Sequence, residues 1–144
     1  MNYTIERITN YTPTLVQPIS QMLEELTGRI SDSCEEYLQK VVADNNTELF
    51  ILYCDNKVAG MVTLAYYPAL SGAKAWIEDV VVLSTFRGQG LARKMVNHAI
   101  EYTTQHYTPC TLKLTSNPSR IAANELYRTS GFEPKITNVY KMMM

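Results

Sequence analysis

Apolar and polar residues recur along the chain with two periods, and these periods predict helices and strands. Spacing of three to four residues predicts helices over Pro13–Thr27, Cys34–Ala43, Leu91–Tyr107 and Ile121–Thr129. Alternating or continuously apolar stretches predict strands over Tyr3–Ile8, Leu49–Cys54, Val58–Tyr66, Ala75–Leu83 and Thr111–Thr115, with a final extended pair within Phe132–Lys141. Hairpins precede βαβ connections in this order, which predicts an α/β domain around a mixed sheet.

Local signals support several of these boundaries. Gly28 ends the first helical pattern, and Pro18 within it predicts a bend or a break. Ser33–Glu36 fits a capping box for the second helix, whose apolar side includes Tyr37. Asp55-Asn56-Lys57 separates two apolar runs and predicts a tight hairpin turn. On the long helix, His98 falls on the polar side and is expected to be solvated.

Composition narrows the class of protein. A chain of 144 residues with 46% hydrophobic and 19% charged residues is predicted to be one ordinary domain, spanning 1–144. A formal net charge of −1 and the lack of a long apolar run favour neither a nucleic-acid partner nor a membrane. Cys34, Cys54 and Cys110 form no CxxC pair, which predicts reduced structural thiols, no metal site and a cytoplasmic location.

The stretch FRGQGLARKMV, residues 86–96, is the first candidate for chemistry. It follows a predicted strand and begins a helix, where backbone N–H groups and the helix dipole favour a bound anion. No Gly-Lys-Ser/Thr follows, so the stretch is not a Walker P-loop. The GxGxxG pattern of Rossmann dinucleotide sites also fails, because it would need glycine where Arg93 stands. On these residues alone, a plain turn and a phosphate site both remain open.

The flanking sequence resembles the GNAT superfamily of N-acetyltransferases. Ile77–Ala92 is similar to its acetyl-CoA motif, in which an apolar strand leads to Arg/Gln-x-x-Gly-x-Gly/Ala and a helix. Ala123–Phe132 matches the second signature, A-x-x-L-Y-x-x-x-G-F. The resemblance implies a single GNAT-like domain whose mixed central β-sheet is splayed at the CoA site, with helices on both faces. It also implies acetyl-CoA as cosubstrate and no metal.

The same resemblance assigns cofactor contacts. It implies that the pantetheine arm pairs with the main chain near Val81 and Val82, and that the pyrophosphate meets the backbone from Gly88 to Ala92. The loop positions concerned are Arg87, Gly88, Gln89, Gly90, Leu91 and Ala92. Many relatives carry an asparagine seven residues before the motif tyrosine, where this chain has Arg120. Asn117 and Asn124 are the candidate substitutes, and each also suits a turn or a cap.

Two residues are candidate catalytic groups. Tyr127 aligns with the tyrosine that protonates the CoA sulfur in many relatives, although it could also simply pack in the core. Glu78 is the candidate base that deprotonates the amine, directly or through water, with Asp79 as the alternative. Consecutive strand residues point to opposite faces, so we expect Glu78 to share its face with Trp76 and Val80. Structural hydrogen bonding is the other explanation for this acidic pair.

The resemblance predicts an acetyl-CoA-dependent N-acetyltransferase that acts in a ternary complex on a primary amine of a small molecule or peptide. Ile77–Val82 is also similar to the matching strand of glucosamine-6-phosphate acetyltransferases, so an amino sugar phosphate is an alternative acceptor. Trp76, Tyr66 and Tyr67 are candidate acceptor-pocket residues or ordinary core. The rival functions are a non-catalytic acyl-CoA sensor, a partner-binding module and a site for another nucleotide. The sequence leaves open whether the chain forms a homodimer.

Overall fold

A computed structural model describes residues 2–144 of the chain. The described strands are β1 Tyr3–Arg7, β2 Thr47–Cys54, β3 Lys57–Tyr67, β4 Lys74–Val82 and β5 Thr111–Lys113. The described α-helices are α1 Val16–Thr27, α2 Cys34–Ala43, α3 Leu91–His106 and α4 Ile121–Thr129. Backbone contacts divide the chain into a first unit that ends at Leu114 and a second unit, Thr115–Met144. That the chain is one domain therefore stays a prediction.

The strands form one sheet in the order β1-β2-β3-β4-β5. The first four strands are antiparallel neighbours, whereas β5 is parallel to β4, so the sheet is mixed as predicted. The β4–β5 ladder joins Lys74–Trp76 to Thr111–Lys113 and stops there, while β4 continues to Val82. The predicted separation of these two strands is confirmed. It leaves one edge of the second half of β4 without a partner in β5.

Helices cover both faces of the sheet in the first unit, as predicted. Leu49 and Ile51 of β2 pack in a buried cluster with residues of α1 and α2. Phe50 points to the opposite face, where its ring lies 4.8 Å from that of His98 and 5.2 Å from that of Tyr102, measured between centroids. His98 of α3 thus packs against the core, and the prediction that it is solvated is wrong.

Local chemistry explains several element ends. Gly28 ends α1 with a left-handed φ of 74°, and Pro18 lies in the first turn of α1, where a missing N–H costs no helical hydrogen bond. Asp55 and Asn56 both have positive φ, 49° and 66°, as a two-residue hairpin turn between β2 and β3 requires.

Two details at α2 differ from expectation. The helix begins at Cys34 as predicted, yet the Ser33 side chain makes no capping hydrogen bond. Tyr37, expected on the apolar side, is exposed, and its ring centroid lies 4.8 Å from the Lys40 ammonium. The spacing pattern could not anticipate this, because the elements that pack against α2 determine which of its residues are buried, and these are Cys34 and Leu38.

The second unit contains α4 and a C-terminal segment without regular structure. Phe132–Met144 form neither helix nor strand, so the extended pair predicted within Phe132–Lys141 is wrong. The side chains of Ile136, Val139 and Tyr140 are exposed. The apolar pattern predicted strands, but a strand forms only against a partner that covers its face and pairs with its backbone. In the first unit, β5 is likewise two residues shorter at its end than the predicted Thr111–Thr115.

Three properties of the described residues concern membranes, metals and thiols. Among residues 2–144, no helix has both the length and the apolar character needed to cross a membrane. The same residues contain no group of three or more His, Cys, Asp or Glu side chains arranged to hold a metal ion. Cys34, Cys54 and Cys110 are unpaired thiols.

Candidate active site

The loop between β4 and α3 has the backbone shape of an anion cradle. Ser84–Phe86 form one turn of 3-10 helix, and α3 begins at Leu91. Gly88 and Gly90 adopt left-handed φ values of 81° and 73°. A Cβ atom at either position would meet no atom within 4 Å, so backbone conformation rather than space requires glycine there.

The N–H groups that end this loop are available to a ligand. The first N–H groups of an α-helix have no partner within the helix. Among residues 2–144, the N–H groups of Gly90, Leu91 and Ala92 donate to no backbone carbonyl, whereas the N–H of Lys94 bonds to the Gly90 oxygen at 3.3 Å. Three neighbouring donors at the positive end of the α3 dipole suit a phosphate group. The residues present thus fit the diphosphate of CoA.

The guanidinium group of Arg87 makes hydrogen bonds to other residues of the protein. Its Nε donates to the Val82 carbonyl oxygen at 3.0 Å, and its Nη2 donates to Glu25 Oε1 at 3.1 Å. The sequence suggested only supporting charge for this residue. The structure adds that its guanidinium group joins the loop between β4 and α3 to β4 and to α1.

Val81 and Val82 lie on the part of β4 beyond its last pair with β5. The Val81 side chain is buried in the cluster with α1 and α2, as expected for a valine in a central strand. The backbone edge that β5 leaves uncovered is the surface on which an extended ligand could pair with main-chain groups. Their role in cofactor binding stays a prediction.

A β-bulge interrupts β4 at the acidic pair. Thr63 pairs with Glu78 and Met61 pairs with Val81, so three residues of β3 face four residues of β4. The extra residue accompanies Asp79, whose φ of 51° is left-handed, a conformation that Asp tolerates better than most residues. Bulges redirect side chains, and this one changes how the two carboxylates point.

The two carboxylates lie on the same side of the sheet. Thr63 pairs with Leu49 of β2 on one side and with Glu78 of β4 on the other, and residues paired in this way point to the same face of the sheet. Leu49 packs with α1 and α2, so Thr63 and Glu78 lie on the face that these helices cover. The Thr63 hydroxyl also donates to Asp79 Oδ2 at 3.3 Å. The expectation that Glu78 and Asp79 point to opposite faces is therefore wrong, because the bulge breaks the alternation on which it rested. For the same reason Glu78 shares its face with Val81 rather than with Val80.

Both carboxyl groups hold their protons more tightly than usual. Loss of hydration raises the pKa of Glu78, and repulsion from Asp79 raises it further. Loss of hydration also raises the pKa of Asp79, while the hydrogen bond from Thr63 opposes the shift. Both residues remain exposed at the surface, so a ligand can reach them. A carboxylate with a raised pKa is a better proton acceptor near neutral pH.

Two of the three predicted acceptor-site aromatics lie on this face. Trp76 is two residues before Glu78 on the regular part of β4, and its Nε1 donates to the Tyr67 hydroxyl at 3.2 Å. Tyr66 instead stacks on Tyr107 with ring centroids 4.5 Å apart. Tyr107 follows α3, so Tyr66 lies on the opposite face, which fits the ordinary-core alternative that the sequence left open.

Tyr127 lies in the second unit, in α4. It is 7% exposed, and its ring meets that of Phe132 edge to face at 6.3 Å between centroids. Burial raises the pKa of Tyr127, while the charge and hydrogen bond of Arg120 lower it, with a net rise. The phenol therefore stays protonated at neutral pH, as a proton donor must. Its catalytic role stays a prediction.

Asn117 and Asn124 hold the turn before α4. Asn117 Oδ1 accepts the Ser119 N–H at 2.9 Å and the Ser119 hydroxyl at 2.8 Å. Asn124 Nδ2 donates to the Asn117 and Arg120 carbonyl oxygens at 2.9 and 2.8 Å. These bonds match the turn and cap alternative that the sequence left open. Whether either amide also contacts the cofactor stays a prediction.

Sequence reasoning missed Glu25 and Thr63. Glu25 contacts a loop about sixty residues further along the chain, and Thr63 bonds to Asp79 across two strands. No local pattern marks either residue, because each is defined by its partner in space.

Comparison with known protein families gives a match over most of the chain. A family model described as "Acetyltransferase (GNAT) family" matches residues 17–132. Comparison with curated proteins finds no match.

Solved structures share the fold over nearly the whole chain. A structure described as a transcriptional regulator from Bacillus halodurans C-125 superposes with a TM-score of 0.85 at 25% identity, covering 99% of this chain and 100% of the other. An aminoglycoside acetyltransferase from an uncultured soil metagenomic sample gives a TM-score of 0.81 at 23% identity, covering 99% and 97%. An aminoglycoside N-acetyltransferase in complex with CoA gives 0.79 at 15% identity, covering 99% and 95%. The family match spans most of the chain, and the protein is therefore an acetyltransferase of the GNAT family.

Proposed function

We propose that this protein transfers an acetyl group from acetyl-CoA to a primary amine of a small molecule or peptide, directly and in a ternary complex. The observation that carries the proposal is the array of backbone donors at Gly90, Leu91 and Ala92, next to the uncovered edge of β4. A helix start alone would be a weak signal. Here it adjoins a strand edge of the kind that an extended pantetheine arm could pair with.

In this proposal the cofactor loop holds acetyl-CoA. The N–H groups from Gly88 to Ala92, Gln89 included, bind the diphosphate, and the main chain of Val81 and Val82 pairs with the pantetheine arm. The bound cosubstrate supplies a thioester as the activated acetyl donor. The remaining cofactor contacts in the proposal are made by Arg87, Asn117 and Asn124.

Protons must move at two atoms during the transfer. The ammonium nitrogen loses one proton so that its lone pair can attack the acetyl carbon, and it loses a second as the amide forms; the departing sulfur gains one as the C–S bond breaks. Glu78, with Asp79 as the alternative, takes the amine proton, for which its raised pKa is suited. Tyr127 supplies the proton to the sulfur, for which its protonated phenol is suited.

The cysteines support direct transfer over a covalent relay. A relay would need a thiolate, the reactive form of cysteine. Burial raises the pKa of the Cys54 and Cys110 thiols, and Cys34 is buried. Direct transfer predicts initial-rate lines that intersect when both substrates are varied, whereas a relay predicts parallel lines.

The acidic face favours a cationic acceptor. Glu78 and Asp79 lie together on one side of the sheet with Trp76 and Tyr67, so carboxylates and aromatic surface could hold an ammonium group and its carbon frame. The same charges would repel an amino sugar phosphate. Two neighbours in structure are aminoglycoside acetyltransferases, which supports a polyamine-like or aminoglycoside acceptor for this chain.

Release of free CoA thiol tests the proposal. The protein is incubated with acetyl-CoA and a panel of aminoglycosides, polyamines, peptides and amino sugar phosphates. We expect turnover with at least one cationic amine and none with the phosphates. Tight acetyl-CoA binding in calorimetry without turnover on any amine would instead favour a non-catalytic sensor. No binding of acetyl-CoA would refute the proposal.

A further inference from the structure

Glu25 of α1 is bound to the start of the cofactor loop by two donors. Its Oε1 accepts the backbone N–H of Ser84 at 3.0 Å and the Arg87 Nη2 at 3.1 Å. The Glu25 side chain is only 22% exposed, whereas that of Arg87 is 57% exposed. One carboxylate oxygen on α1 thus binds the first residue of the 3-10 turn Ser84–Phe86 and the residue that follows the turn, Arg87.

The other end of the Arg87 guanidinium fastens the same turn to the sheet. Arg87 Nε donates to the carbonyl oxygen of Val82, the last residue of β4. Hydrogen bonds of the Glu25 and Arg87 side chains therefore fasten this segment to α1 and to the end of β4. Gly88 and Gly90 follow directly, and both lie in a backbone region where a glycine has great freedom.

We infer that Glu25 is a positioning residue for the cofactor, which holds Ser84 and Arg87 so that the N–H groups of Gly90–Ala92 are oriented before acetyl-CoA binds. The inference rests on the proposed function, since it takes the loop to be the diphosphate site. A loop already ordered in the free protein loses less conformational entropy on binding, and this increases affinity.

A competing effect has the opposite sign. Glu25 is a negative charge near the loop, and it holds a guanidinium group that could otherwise bind phosphate. If charge decided the outcome, removal of Glu25 would strengthen acetyl-CoA binding. If positioning decides it, removal weakens binding. The direction of the change therefore separates the two explanations.

The test compares Glu25→Ala, Glu25→Gln and the control Glu24→Gln, at the position one residue earlier on α1. For Glu25→Ala we expect acetyl-CoA to bind about three- to tenfold more weakly in calorimetry, in keeping with a partly exposed, charge-assisted contact. The KM for acetyl-CoA should rise, while kcat and the KM for the amine change little. Glu25→Gln keeps an oxygen acceptor and should lose less.

Hydrogen exchange of the free protein gives a second readout that does not depend on the cofactor. We expect faster exchange at residues 84–92 in Glu25→Ala than in the wild type or in Glu24→Gln, with thermal unfolding used to confirm that each variant is folded. Equal or tighter acetyl-CoA binding by folded Glu25→Ala, or unchanged exchange in the loop, would overturn the inference alone. If the wild-type protein bound no CoA, the proposed function would fall first and this inference with it.

Discussion

Replacement of Gly60 by alanine should strain the strand that carries the candidate cofactor edge. Gly60 lies on β3 directly opposite Val82. A Cβ atom there would lie 2.8 Å from the Val81 carbonyl oxygen, 3.0 Å from Met95 Cε and 3.1 Å from Met95 Sδ. The end of the Met95 side chain can move aside, but the carbonyl oxygen can move only if the backbone of β4 moves with it.

The expected cost follows from that geometry. Adding atoms to a close-packed interior typically costs about 1–3 kcal/mol, because side chains or backbone must shift. For a chain of this size, that loss corresponds to a fall in the thermal midpoint of roughly 3–10 °C. The required shift is at Val81, so acetyl-CoA should also bind less tightly to Gly60→Ala than to the wild type.

Thermal unfolding and calorimetry with acetyl-CoA measure the two effects. Gly72→Ala is the matched control: a Cβ atom at Gly72 meets nothing within 4 Å, yet its positive φ of 124° makes alanine unfavourable. That control should lower the thermal midpoint without changing acetyl-CoA affinity, since Gly72 lies in the loop before β4, at the opposite end of that strand from Val81 and Val82. A Gly60→Ala protein with the wild-type midpoint and affinity would refute the reasoning, because it would show that the backbone of β4 can shift without loss of stability or binding.

Three further predictions concern the site. Tyr127→Phe should lower kcat about a hundredfold or more, as loss of a proton donor does, with acetyl-CoA affinity in calorimetry unchanged; wild-type turnover would exclude Tyr127 as the acid. At pH values above the range in which an ordinary aspartate titrates, Asp79→Asn should have a higher thermal midpoint than the wild type. Because loss of hydration raises the folded-state pKa of Asp79, its ionised form costs stability that is regained as the pH falls, so the gap to the wild type should narrow in acid; a gap independent of pH would contradict this. Gly90→Ala should lose about 1–2 kcal/mol of stability in denaturant unfolding and bind acetyl-CoA more weakly. Gly90→Asn should lose less stability because asparagine tolerates left-handed φ, and equal losses would argue against backbone strain as the cause.

Local chemistry determined the elements that the sequence alone could place. The bounds predicted for α2 and α4, Cys34–Ala43 and Ile121–Thr129, are those observed, because their apolar spacing and flanking residues lie within a few positions of each other. The hairpin turn at Asp55 and Asn56 was predictable for the same reason. The loop between β4 and α3 is a contiguous motif, so its glycines are recognisable from the order of the residues alone.

Contacts between distant parts of the chain decided the rest. The bulge at Asp79 turns two carboxylates to one face, and it arises from the pairing of β4 with β3, which strict alternation cannot foresee. The bond between Glu25 and Arg87 depends on α1 packing beside the loop. The C-terminal segment shows the converse, because its apolar pattern alone did not make a strand. Sequence patterns report what each segment prefers, whereas the partner that meets it in space determines how its side chains point and whether a strand forms at all.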